Sequence, residues 1–219
     1  MAIEPTTKSV MAFVDGQNLY RHAKEAFGYH HPNYDPVKLH KAVCAERGWR
    51  PTLTRFYTGV PSQIESPMWA AYWSNRVLAL KRIGVSVTTR PIRYHKEKVV
   101  DHDGDPVLDD DGIQKVVTVP HEKGIDVRLA LDLVSLARTK QFDVALIFSQ
   151  DQDLQEVVQE IADIAQEQGR LIKVACAFPD GPNASSSRGI DKTDWFPMEQ
   201  TFYDQCLDPR DYRPKTRTS

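Results

Sequence analysis

The sequence has little with which to cross-link, anchor or charge itself. Only three cysteines occur in 219 residues, Cys44, Cys176 and Cys206. Their number is odd, they stand far apart and none forms a Cys-x-x-Cys pair, so a disulfide framework, a thiol redox motif and a cysteine zinc site are unsupported. No apolar run approaches the roughly 18 residues of a membrane span, and no apolar stretch of signal-peptide length opens the sequence. With reduced thiols, these absences predict a soluble cytoplasmic protein with no membrane partner. Charge of one sign is also lacking: 28 Lys and Arg face 30 Asp and Glu, a net charge of -2. There is no global basic field, so a nucleic-acid partner has to be held by a local patch or through metal ions. Neither a G-x-x-x-x-G-K-[ST] loop nor a G-x-G-x-x-G turn is present, which leaves nucleotide binding by those devices unsupported.

What is there reads as one globular domain. Hydrophobic residues make up 41% and charged residues 26%, and no linker interrupts the chain. Ser9 to Val14 predicts a buried strand ending at Asp15-Gly16. Helical character follows over Leu19 to Phe27, then Asp35-Pro36 opens a second helix as N-cap and first helical residue. Leu53 to Tyr57 predicts strand two, Met68 to Ile83 a long helix stopped by Gly84, and Val85 to Arg90 a third strand. Residues 93–119 break the rhythm: Lys98 to Val100 and Lys115 to Val119 flank an Asp- and Gly-rich turn, predicting a β-hairpin insertion. Gly124 to Arg138 and Leu154 to Gln168 read as helices around strand Val144 to Phe148, and Leu171 to Ala177 as a further strand. This alternation predicts an α/β fold with a mainly parallel sheet and helices on both faces. The domain is expected to span residues 1–207, and residues 208–219, with Arg210, Arg213, Lys215 and Arg217, to form a polar flexible tail.

In a doubly wound sheet, ligands bind outside the carboxyl ends of the strands. Asp15 follows strand one, and Asp151 with Asp153 follows the strand ending at Phe148. Asp126 opens the helix after Gly124. Each has an ordinary structural use as well: Asp caps helices and turns, and Asp126 gains from the helix dipole. Carboxylates that converge at one sheet edge repel unless a cation sits among them, so the set predicts a divalent metal site. Asn18 lies one turn into the first helix, where a neutral amide can orient a ligand or cap the helix. Glu122 can reach the same place or be a surface residue. Asp132 lies about 240° around the helix from Asp126, which makes it a solvated residue or the partner of a basic neighbour.

These residues resemble the NYN domain, in the LabA-like branch of the PIN-like ribonuclease superfamily. The likeness rests on a strand followed by Asp-Gly-x-Asn-Leu, on Glu-Lys-Gly-Ile-Asp-Val with Leu-Ala-Leu-Asp-Leu, and on Ser-Gln-Asp-Gln-Asp-Leu, in that order over roughly Val10 to Ala177. The resemblance implies a PIN-like three-layer α/β/α fold and Mg²⁺- or Mn²⁺-dependent endoribonuclease activity on mainly single-stranded RNA. It carries metal binding onto Asp15, Asp126, Asp151 and Asp153, with Asn18 in support. One position departs from the family pattern: Gln150 stands where Gly is usual, and glycine alone adopts positive φ freely.

RNA has to be gripped as well. Arg21, Arg55, Lys123 and Arg128 lie near the motifs as phosphate contacts, while Arg90, Arg93, Lys96 and Lys98 suggest a basic arm leading into the hairpin. Tyr20, Tyr57 and Tyr94 are candidates for stacking on unpaired bases. A second reading is a catalytically weak or inactive RNA-binding module on the same fold. A phosphatase of another α/β class fits less well, because Gln17 stands where a second Asp is expected. The hairpin is open to three roles: substrate arm, homodimer contact or decorated loop.

Overall fold

The structure, a computed structural model, describes residues 5–214; Lys215 and Arg217 of the expected tail lie outside them. In chain order the first half comprises β1 (Ser9–Asp15), α1 (Gly16–Phe27), α2 (Pro36–Arg47), β2 (Arg50–Val60), α3 (Pro67–Arg82) and β3 (Ser86–Pro91). The second half comprises β4 (Arg93–Lys98), β5 (Val116–His121), α4 (Ile125–Arg138), β6 (Val144–Phe148), α5 (Gln155–Glu167), β7 (Lys173–Pro179), β8 (Asp194–Met198) and α6 (Gln200–Asp204). A single 3-10 turn, Gln152–Leu154, leads into α5.

Six strands form one sheet in the order β3-β2-β1-β6-β7-β8, and every pairing is parallel. The chain winds outward from β1 through β2 to β3, then returns to the other side of β1 and winds out again through β7 to β8. The reversal falls between β1 and β6, and their carboxyl ends form the switch-point crevice. Sequence alone marked Leu53 to Tyr57 as strand two; pairing with both neighbours extends it to Arg50–Val60. It did not mark β8, a short edge strand with an internal Pro197.

Side-chain parity sorts the core into two layers, as a sheet covered on both faces requires. Val10, Ala12 and Val14 of β1 pack with Leu19, Ala23 and Ala26 of α1 and with Leu39 and Val43 of α2. Met11 and Phe13 pack on the other face with Leu129 and Leu133 of α4 and Ile161 of α5. Continuing that alternation by one residue puts Asp15 on the α4 side, which is the side where Asp126 begins its helix. Among the described residues no helix is long and apolar enough to cross a membrane.

The hairpin stands apart from the main sheet, with β4 and β5 antiparallel from the Arg93–His121 pair to the Lys98–Val116 pair. Its acidic tip serves its own backbone. The Asp101 carboxylate accepts from the Asp103 and Asp105 amides at 3.0 and 2.9 Å, and Asp109 repeats the device with Asp111 and Ile113. At the C-terminus, the expectation of a free tail from residue 208 is corrected. Asp208 donates its amide to the Asn33 carbonyl at 2.7 Å and accepts from the Tyr212 hydroxyl at 2.6 Å, and Tyr212 is buried against Tyr72.

Candidate active site

At the switch point, β1 ends in Asp15, whose carboxylate caps α1 by accepting from the Asn18 amide at 3.0 Å. Beside it, β6 runs out through Ser149 and Gln150 to Asp151, which caps the 3-10 turn and accepts from the Asp153 amide at 3.1 Å. The two strand ends are tied together. The Asn18 side-chain oxygen accepts from the Gln150 backbone amide at 2.9 Å, so one hydrogen bond sets the Asp15 turn against the Asp151 turn. Gly124, at φ 77°, makes the left-handed step that starts α4.

A cavity of about 540 Å³ opens there, lined by Asp15, Asn18, Arg21, Glu122, Lys123, Asp126 and Asp151 among others. Of the residues that sequence marked for chemistry, the fold therefore brings together Asp15, Asn18, Asp126 and Asp151, with Arg21 and Lys123 on the rim. It does not bring Asp153, which is exposed and absent from the lining. Nor does it bring Arg55. Asp132 is buried, not solvated, and takes Arg55 at 2.6 Å, the Tyr57 hydroxyl at 2.9 Å and Arg128 one helical turn away. Burial works against its charge, yet the hydrogen bonds from Tyr57 and Arg55 hold Asp132 below the usual carboxylate range. Arg55 is thereby a structural cation, and Tyr57, fully buried, is no base-stacking surface. Arg128 is shared: it pairs with Asp132 and also walls a second, basic cavity with Arg90, Arg93 and Lys123 that adjoins the acidic one.

Glu122 is the residue that sequence reasoning set aside as optional. It follows β5 directly, is half-buried, and accepts from the Gly59 amide at the end of β2. The approach uses the missing side chain at 59: a Cβ there would lie 2.9 Å from Ile92 and still closer to the Glu122 carboxylate, so those side chains would have to shift. The signal available was its place in Glu-Lys-Gly ahead of Asp126, which any surface glutamate could share.

The carboxyl groups feel one another. Burial, followed by the charges of Asp151 and Asp126, pushes Asp15 up from 3.8 to about 6 against the pull of the Asn18 and Gln17 amides. Burial and the charge of Asp15 push Glu122 from 4.5 to about 7. Mutual repulsion among carboxylate oxygens is what a hard divalent cation relieves, so the donor chemistry is of the kind such a cation takes. As arranged, no three acidic, histidine or cysteine side chains among the described residues are grouped closely enough to hold an ion.

Gln150 proves compatible with its turn. It does not take positive φ, and its side-chain amide donates to the Ser186 and Arg188 carbonyls at 3.0 and 2.9 Å. With Gln152 donating to the Gly189 carbonyl at 3.0 Å, it fastens the loop after β7 over the strand ends.

An all-parallel, doubly wound sheet with carboxyl groups gathered at its switch point is a PIN-like fold. The chain belongs to the NYN domain family, which matches residues 9–188, and NYN domains are part of the PIN-like nuclease superfamily. No curated protein matches the chain significantly. Among solved structures it is similar to a protein of unknown function from Vibrio parahaemolyticus, at 17% identity and TM-score 0.48 over 96% of this chain and 99% of that one. It also has a weaker likeness to a deacetylase of teicoplanin biosynthesis in complex with teicoplanin, at 14% identity and TM-score 0.30 over 76% and 68% of the two chains. Neither reaches a TM-score of 0.5, and neither bears on what this chain does.

Proposed function

We propose that this NYN domain is a Mg²⁺- or Mn²⁺-dependent endoribonuclease that hydrolyses phosphodiester bonds of single-stranded RNA. The observation that carries this reading is the convergence of Asp15, Glu122, Asp126 and Asp151, from three separate segments, on one cavity at the switch point. Asp15, Asp126 and Asp151 would hold the cation, which when bound lowers the pKa of water and stabilises charge on the phosphate. Arg21 and Lys123 on the rim bind the phosphate as point charges or forks. In hydrolysis a water oxygen bonds to phosphorus, the bond to the leaving sugar oxygen breaks with its electron pair going to that oxygen, which takes a proton from bulk water, and a proton of the attacking water has to be taken up. Glu122, with one oxygen held by the Gly59 amide, is placed to accept it at the other. Asn18 positions the Asp15 and Asp151 turns through its bond to Gln150.

The test is cleavage of labelled single-stranded RNA with Mn²⁺ by wild type beside Asp15→Asn and Asp151→Asn, with EDTA as control. Wild-type turnover lost in both variants and in EDTA is expected; equal cleavage by all three proteins would identify a contaminant and defeat the reading. A second reading, a non-catalytic RNA-binding module, draws on the absence among the described residues of three ligands grouped for an ion. Salt-dependent RNA binding with no turnover under any divalent ion would favour it.

A further inference from the structure

The acidic cavity has an aromatic neighbour. A second cavity of about 220 Å³ shares Gln17 and Tyr20 with it and is otherwise walled by His31, Pro61, Trp69, Tyr72, Trp73 and Arg76. A third, of about 580 Å³, continues past Tyr20, His31, Trp69 and Tyr72 to Lys24 and His30. Tyr20 lines all three, so the three spaces adjoin at that side chain beside α1 and the start of α3.

The wall of the middle cavity is built and fixed. Trp69 stands edge-on to Tyr72 at 5.4 Å and against His31 at 6.0 Å, and the Tyr20 hydroxyl is bonded to His31 Nδ1 at 3.1 Å. Behind these rings lies Arg76, 2% exposed. Its guanidinium bonds to the Tyr72 hydroxyl at 3.0 Å and the Tyr34 carbonyl at 2.8 Å and stacks over Tyr34 and Trp73. It makes no ion pair among the described residues. A buried cation without a carboxylate, beside a cavity lined by aromatic side chains, suits a flat, electron-rich ligand. Trp69 itself is 38% exposed, a large ring left open to solvent at the mouth.

We infer that the cavity walled by Trp69, Tyr72 and Arg76 receives one unpaired nucleobase of the RNA strand whose phosphodiester lies in the acidic cavity. The strand then passes Tyr20, with Lys24 available to its next phosphate. This rests on the ribonuclease reading for its purpose and not for its binding chemistry. Bases stack on aromatic side chains irrespective of sequence. Trp69, Tyr72 and Trp73 stand three and four residues apart on α3 and so share one helix face.

The test is anisotropy of a labelled single-stranded RNA with the full chain in EDTA, where binding is read without turnover. The proteins are wild type, Trp69→Ala and Trp69→Phe, and a single abasic residue is walked along the RNA. Trp69→Ala is expected to weaken binding by about 5- to 150-fold, the range of one lost base stack, and Trp69→Phe to restore most of it. One abasic position should weaken wild-type binding similarly and leave Trp69→Ala binding unchanged. Binding that is absent in wild type, unaffected by Trp69→Ala, or penalised by the abasic site equally in both proteins overturns the inference. Cleavage assays separate the two readings. Asp15-dependent cleavage with no Trp69 effect sinks the base pocket alone, whereas Trp69-dependent binding without cleavage sinks the nuclease reading alone.

Discussion

Replacing Asp15 by Asn should make the protein more stable and, on the reading above, inactive. Asp15 is 7% exposed, and its carboxyl is pushed from 3.8 to about 6, chiefly by burial and then by the charges of Asp151 and Asp126. A folded-state value raised above the unfolded one means that the folded protein favours the protonated acid. The resulting stability is full below pH 3.8 and is lost as pH rises through about 6. The interval corresponds to roughly 3 kcal/mol at pH 8. Asn retains the cap to the Asn18 amide, because Asn and Asp are comparable N-caps, and carries no charge to bury. Thermal unfolding in EDTA should therefore give Asp15→Asn a Tm about 6–12 °C above wild type at pH 8, from the usual 2–4 °C per kcal/mol at this chain size. The two proteins should converge at pH 4. Mn²⁺ should raise the wild-type Tm and leave the variant unchanged. A variant less stable than wild type at pH 8, or a difference that does not change with pH, would refute the electrostatic reasoning.

Three other substitutions probe the site and its surroundings. Glu122→Gln keeps the acceptor for the Gly59 amide but cannot take a proton, so the rise in cleavage rate through about pH 7 expected of wild type should flatten in the variant; an unchanged pH profile would remove Glu122 from proton transfer. Arg55→Ala leaves Asp132 buried with Tyr57 and Arg128 only, and should cost about 1–3 kcal/mol in urea unfolding while leaving RNA affinity nearly intact; a large loss of affinity at unchanged stability would return Arg55 to the RNA. Gln150→Gly removes two hydrogen bonds to the loop after β7, at a cost of about 1–3 kcal/mol; hydrogen exchange over residues 181–189 should accelerate, and unchanged exchange would show that the loop is held by other means.

Sequence and structure part company where three-dimensional partners decide a residue's role. Local signals sufficed for β1 with its terminal Asp15, for the Asp35-Pro36 start of α2 and for the alternation that makes the sheet parallel. They also placed Asp15, Asn18, Asp126 and Asp151 at ends of elements, and the switch between β1 and β6 draws those ends together. Arg55 looked like a phosphate contact because its partner Asp132 lies 77 residues away, on the inner face of α4. Asp153 looked equivalent to Asp151, but the 3-10 turn between them points the second carboxylate outward. Gln150 looked costly on the assumption that its turn needs positive φ, and the backbone does not use it. The packed segment from Asp208 to Tyr212 read as a tail because its anchors, Asn33 and Asn75, belong to distant parts of the chain.

The antiparallel arm gains a mechanical meaning from where it is rooted. Its second strand ends at His121, and the very next side chain is the carboxylate that reaches Gly59. No slack separates them, whereas on the other side Gly124 supplies a bend before α4 begins. The root of the arm and the Glu122–Lys123 edge of the cavity are therefore one uninterrupted stretch of backbone, tied to β2 at Gly59, whereas Asp15 and Asp151 stand at the ends of sheet strands.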